Sequence, residues 1–187
     1  SSYKWKDCPG LEHYGVCVPC CYDIHGIDIS HYQGNINWKE LERSRTERFP
    51  LHFIFMKATE GEGLDDKTFV SNFELARKHG FIRGAYHVYS PKASSSRQAD
   101  FFIRNVRLKQ GDLPPVLDIE VKGKRSKREL QDSLKVWLRK VEKHYSVKPI
   151  LYTSYKFKMD YLNDPFFNSY PYWIAHYYVD SVRYQGK

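Results

Sequence analysis

Cysteine is absent from residue 22 onward, because Cys8, Cys17, Cys20 and Cys21 all lie in the first 21 residues. Any disulfide within the chain is therefore local to its N-terminal segment, and the body must hold together by packing. Cys17 and Cys20 have the C-x-x-C spacing of a zinc knuckle or redox pair, but no βα unit precedes them and no His follows at zinc-finger distance. Disulfides in an exported protein are the favoured reading, with three pairings open. Cys20 and Cys21 are poor partners for each other, since closing a bridge between neighbours strains the peptide that joins them.

Long apolar runs are missing too. No stretch approaches the roughly 18 to 20 residues of a membrane span, and the segment from Ser1 lacks the apolar core of a secretory signal. The chain reads as soluble and already trimmed. Gly-rich phosphate turns, zinc-finger or RNP signatures, H-E-x-x-H and a Ser or Cys nucleophile elbow are all absent, so no cofactor and no metal are expected. Acidic residues are the minority: 22 Asp and Glu face 30 Lys and Arg, for a formal net charge of +8 and a pI near 9.2. That balance suits polyanions, including acidic wall polymers. Five of the seven residues from Lys122 to Arg128 are basic. A solvated loop leading into a helix is preferred to a docking patch there, and nucleic-acid binding is not expected because interleaved aromatics are lacking.

The 187 residues, 41% of them hydrophobic, suffice for one sizeable core. From about residue 24, short β-branched or aromatic runs alternate with segments of helical period, the pattern of a parallel sheet wrapped by helices. Strands are predicted at 26–29, 52–56, 82–88, 115–119, 150–153 and 172–175, each nearly all apolar, as strands buried on both faces should be. Asn37 with Glu40 and Ser126 with Glu129 have the spacing of helix caps. In the second of these helices Leu130, Leu134, Trp137, Leu138 and Val141 form one apolar stripe. Phe69, Phe73 and Ala76 form another, with Gly80 as its stop. Further helices are expected over 95–106 and after Ser154. A full eight-fold barrel takes about 250 residues, so the expectation is an α/β fold: an abbreviated or modified β/α (TIM-like) barrel of parallel strands over 24–187, behind a cysteine-containing extension over 1–23. An open doubly wound sheet is the alternative, but its Gly-rich first turn is replaced here by Ser30-His31-Tyr32-Gln33-Gly34.

In a parallel barrel the C-terminal strand ends build the site. Those ends carry Asp28; Lys57 and Glu60; Tyr86, His87 and Tyr89; Asp118 and Glu120; Tyr152; Trp173 and Tyr177. Asp118 and Glu120 matter most, because residues two apart on a strand face the same way with Cα atoms roughly 6.5 to 7 Å apart. Like charges that close raise one pKa, so one group can donate a proton while the other stays ionised. Glycoside hydrolysis needs that division. The alternative is a core ion pair of these acids with Lys57 or Arg83. For His31 and His87 a packed or hydrogen-bonded histidine is preferred to a catalytic base.

Six ordered segments together resemble the glycoside hydrolase family 25 lysozymes, the Chalaropsis-type muramidases. They are Gly26-Ile27-Asp28-Ile29-Ser30-His31-Tyr32-Gln33-Gly34, Lys57-Ala58-Thr59-Glu60-Gly61, Gly84-Ala85-Tyr86-His87, Leu117-Asp118-Ile119-Glu120, Leu151-Tyr152-Thr153-Ser154 and Trp173-Ile174-Ala175-His176-Tyr177. The resemblance implies cleavage of the β-1,4 bond between N-acetylmuramic acid and N-acetylglucosamine in bacterial peptidoglycan by an exported, monomeric enzyme. It implies Glu120 as general acid/base, Asp118 as its stabilising partner and Asp28 as a further active-site acid. Glu60, Tyr86, Tyr152, Trp173 and Tyr177 would line the sugar cleft. It also implies a final strand, bearing another Trp and an aspartate, that is not seen before Lys187. A chitinase-like hydrolase and a non-catalytic carbohydrate-binding barrel are the competing expectations.

Overall fold

A computed structural model describes residues 25–44 and 50–175. The cysteine segment and Tyr177 lie outside the described residues. Strands and helices alternate except at the β2–β3 hairpin: β1 (His25–Ile29), α1 (Trp38–Arg43), β2 (Leu51–Glu60), β3 (Leu64–Asp65), α2 (Phe69–Lys78), β4 (Ile82–Val88), α3 (Ser95–Asn105), β5 (Val116–Asp118), α4 (Lys127–Tyr145), β6 (Ile150–Ser154), α5 (Tyr155–Tyr161) and β7 (Tyr172–Ala175). Short 3-10 turns occupy His31–Gln33 and Pro165–Ser169.

The sheet runs β1-β2-β4-β5-β6-β7, every neighbour parallel, with β3 folded back antiparallel on β2. Strands thus lie side by side in chain order. A doubly wound sheet would reverse direction from a central switch point, whereas right-handed crossovers that always advance the same way put every helix on one face. The sheet curls into a half-barrel, as the sequence predicts. The β3 hairpin was not foreseen: β2 continues four residues past the predicted Met56, and the chain reverses at Gly61, whose φ of 57° suits a residue without a side chain.

Local signals account for most boundaries. Asn37 accepts from the Glu40 amide at 3.2 Å, while Glu40 reaches the Asn37 side chain rather than its backbone, so the first cap is not reciprocal. Ser126 and Glu129 do form the full box. Gly80, at φ 75°, ends α2, and the Phe81 amide donates to the Ala76 carbonyl across the turn at 2.9 Å. The α4 stripe of Leu130, Leu134, Trp137, Leu138 and Val141 is fully buried, each large apolar side chain stabilising the fold by about 1.5–3 kcal/mol. It packs with Ile54, Met56, Ala58, Leu117 and Ile119 in one core between sheet and helices.

Candidate active site

Alternation along each strand sends half the side chains to that core and half to the concave face. On the concave face glycine makes room for rings. A Cβ on Gly26 would lie 2.1 Å from the Phe53 ring, and one on Gly84 would lie 2.2 Å from Phe55. Phe55 can therefore lie across β4 and reach Trp173, ring centres 5.0 Å apart. Trp173 in turn meets Tyr152 edge-on at 4.9 Å. Together they brace one wall of a pocket at the C-terminal strand ends.

Asp28, Tyr86, Val116, Asp118, Glu120, Tyr152 and Trp173 line that pocket, which has a volume of about 130 Å³. The two carboxylates of the D-x-E sequence face it together while Ile119 between them is buried in the core. The strand ends at Asp118, but pairing persists one step further through the Ile119 amide, which donates to the Tyr152 carbonyl at 3.0 Å. Glu120 thus begins the loop on a fixed register.

Asp118 has its pKa pushed up to about 8. Burial is the largest cause; the Glu120 charge, a hydrogen bond with Glu120 and the Asp28 charge add to it, and Lys57 opposes. Asp118 therefore keeps its proton at neutral pH. The sequence expectation lodged that proton on Glu120 and the charge on Asp118; the raised group is Asp118, because it sits deeper. Asp28 opens to solvent at the mouth, yet the surrounding wall raises its carboxyl by desolvation, against an opposing hydrogen bond from its own backbone. The Tyr86 hydroxyl is raised as well, first by burial and then by Asp28, Asp118 and Asp66, so it stays protonated and available as a donor.

Other expected site residues are placed differently. Glu60 stands outside the lining, bound to Lys57 at 2.6 Å, and Tyr177 is not described. His87 and Tyr89, counted with the rim from sequence, face the helices instead. His87 is fully buried, contacts Thr59 Oγ1 at 2.7 Å and Gln98 Oε1 at 3.1 Å, and stacks on Trp137. Desolvation lowers its pKa to about 4, only partly offset by the Gln98 hydrogen bond, and keeps it neutral. It is a structural histidine, as preferred from sequence. Arg83 does not reach Asp118: it binds Asp112 at 2.8 and 3.1 Å and the Phe73 carbonyl at 2.6 Å. The basic loop after Glu120 is solvated at Lys124, Lys127 and Arg128, while Arg125 folds back to donate to the carbonyls of Pro91 and Ala93 and to the Ser133 hydroxyl. Among the described residues no group of three or more His, Cys, Asp or Glu is arranged to hold a metal ion.

Sequence reasoning missed two participants. Val116 supplies an apolar wall, and the two-residue period that pairs Asp118 with Glu120 could have found it. Asp66 carried no comparable signal. Its side chain is buried and accepts from the His31 amide at 2.8 Å, His31 Nδ1 at 2.9 Å, the Thr68 amide at 2.9 Å and the Thr68 hydroxyl at 2.7 Å. Burial pushes its pKa up, but those hydrogen bonds win and hold it below the usual range.

A β/α half-barrel whose C-terminal strand ends join three carboxyl groups to tyrosine and tryptophan walls defines a class, that of the barrel-type glycoside hydrolases. Residues 27–187 match the family of glycosyl hydrolases 25, and the chain belongs to that family. It is 44% identical over 168 residues to the protein YegX of Escherichia coli K12, covering 90% of this chain and 61% of that protein. It is 32% identical over 140 residues to the N,O-diacetylmuramidase of Arthroderma benhamiae, covering 70% of this chain and 57% of that enzyme. The chain thus spans about three fifths of the length of these relatives. Among solved structures, a family 25 glycosyl hydrolase from Bacillus anthracis superposes with a TM-score of 0.72 at 37% identity, covering 82% of this chain and 70% of the other. The lysozyme of Streptomyces coelicolor gives 0.75 at 29% identity, covering 85% and 76%.

Proposed function

We propose that this protein is a muramidase that hydrolyses the β-1,4 bond between N-acetylmuramic acid and N-acetylglucosamine in bacterial peptidoglycan. The observation that carries the reading is the meeting of Asp28, Asp118 and Glu120 in one aromatic-walled pocket, where burial and the neighbouring carboxylates raise the Asp118 carboxyl. A carboxyl group protonated at neutral pH beside an ionised one is what acid-assisted departure of a sugar oxygen requires. Membership of family 25 and the likeness to a diacetylmuramidase support the choice of substrate.

In this mechanism Glu120, at the mouth of the pocket, takes the Asp118 proton through the hydrogen bond between them and gives it to the leaving glycosidic oxygen. Asp118, left negative, accepts from the N–H of the substrate's acetamido group, whose oxygen attacks the anomeric carbon as the glycosidic bond breaks. Glu120 then removes a proton from the water that opens the cyclic intermediate. Asp28 adds negative charge facing the oxocarbenium-like centre, and Tyr86, Tyr152 and Trp173 hold the sugar. Glu60 acts next to the pocket through Lys57. Residues 24–187 constitute the catalytic domain and 1–23 an extension; the enzyme works as an exported monomer on the wall, without a cofactor.

Clearing of bacterial wall suspensions by the wild type and by Glu120→Gln tests the reading. The wild type is expected to clear and the variant to be nearly inert. Equal rates would remove Glu120 from the chemistry, and a product of inverted anomeric configuration seen by NMR would exclude participation of the acetamido group.

A further inference from the structure

The loop after β1 spends much of its hydrogen bonding on holding one aromatic side chain in water. Tyr32 is 80% exposed, the most open large apolar or aromatic residue among those described as exposed. An aromatic ring left in solvent forgoes the stabilisation of burial, and on a loose loop it would fold down onto neighbouring surface. This loop is not loose. Ser30 and Gln33 cap the short 3-10 turn reciprocally, with the Ser30 amide donating to Gln33 Oε1 at 2.6 Å and the Tyr32 amide to Ser30 Oγ at 3.3 Å. Asp66 then clamps the turn from the other side, accepting from both the backbone and the ring of His31. The His31 ring lies 4.0 Å from the Tyr32 ring at 35°, backing it on one side.

The position of that ring relative to the pocket is constrained. Tyr32 lies four residues beyond Asp28, which lines the pocket, so its Cα is within about 14 Å of that of Asp28. Asp66, its clamp, is close enough to the pocket for its charge to act on Tyr86. Tyr32 thus follows the C-terminal end of β1, on the same rim as the acids. A pocket of about 130 Å³ is below the roughly 300–1,000 Å³ that enclose a drug-sized ligand, so a glycan of several sugars extends past its mouth.

We propose that Tyr32, backed by His31 and fixed by Asp66, is a stacking platform for a sugar ring of the substrate glycan beyond the pocket, a binding position additional to the one that holds the scissile bond. The ligand class is an N-acetylated β-1,4-linked glycan, whose pyranose C–H faces match an exposed ring. The inference rests on the glycan-cleaving function proposed above. It assigns Tyr32 to strand-length preference rather than to chemistry.

Steady-state kinetics of the full chain on peptidoglycan glycan strands graded by length, for wild type, Tyr32→Ala and Tyr32→Phe, provide the test. Tyr32→Ala is expected to raise KM on long strands by roughly 2- to 10-fold, the range of one aromatic contact, with kcat nearly unaltered and the loss shrinking as strands shorten. Tyr32→Phe, which keeps the ring, should restore most of the wild-type KM. Equal KM for wild type and Tyr32→Ala on long strands would overturn the proposal, as would a loss independent of length. A second readout does not depend on turnover: on adding glycan fragments, the ring resonances of Tyr32 should shift in the NMR spectrum, and their constancy would overturn it. If the wild type cleaves no glycan, the muramidase reading fails, while a shift at Tyr32 would still support the platform.

Discussion

The two ends of this half-barrel treat charge in opposite ways. At the end where the strands begin, Arg83 and Asp112 are both buried and match each other: two guanidinium hydrogen bonds to one carboxylate, with a third to the Phe73 carbonyl and the face of Arg83 against the Phe73 ring at 3.8 Å. At the end where the strands finish, Asp28, Asp118 and Glu120 share one pocket, and the cation among them, Lys57, is bound to Glu60. Matched charge, hydrogen-bonded in the interior, holds elements together. Carboxyl groups crowded by their own kind cannot all ionise, and the proton they retain is available for chemistry.

The largest expected effect breaks the comparison at its functional end. Glu120→Gln should lower wall clearing by about 10²- to 10⁴-fold, the usual worth of a general acid, while thermal unfolding shows no loss of stability. If the unfolding midpoint instead falls sharply, Glu120 is holding structure. Next comes the matched end. Arg83→Met strands Asp112 in the interior and should cost roughly 3–5 kcal/mol in chemical denaturation, with the pH profile of whatever activity remains unchanged. Replacing both partners by apolar residues should recover much of that loss.

A third effect concerns protons. Asp118 has an ordinary value of 3.8 and is raised to about 8 in the folded protein. The folded state therefore binds more protons than the unfolded state between those values, and stability declines as pH rises from about 4 to 8. Asp118→Asn removes that decline, so its advantage in urea unfolding should grow across this window and level off above about pH 8. Wild-type activity should fall over the upper part of the same range as the pair loses its proton. A stability difference that is flat with pH would contradict the assignment. The smallest effect separates place from role. Ser126 lies at the functional end, but it caps α4, and Ser126→Ala should cost about 1 kcal/mol with the pH profile of activity unaltered.

Much of this was legible in the chain because the signals are local. The Ser126 and Glu129 cap, the α4 stripe and the stop at Gly80 each depend on residues within one or two turns, and each is found where the spacing predicts. The β3 hairpin was not legible, since a two-residue strand carries too little pattern to register. His87 and Tyr89 show a different limit. Proximity to a strand end does not say which face a side chain takes, and these two turn to the core while Tyr86, next to His87, turns to the pocket. Asp66 marks a third limit, because its partners at His31 are 35 positions away.

By itself the sequence determined the alternation of strands and helices, and it set Asp118 and Glu120 on one face, because a strand repeats every two residues whatever surrounds it. Only the tertiary structure decided where the shared proton rests. That depends on depth, on the Asp28 charge brought across from β1, and on Lys57 opposing from β2, none of which is encoded near Asp118 in the chain. The same holds for Tyr32. Its identity is written in the sequence, but its exposure on a clamped turn beside the pocket follows from long-range contacts that only folding brings together.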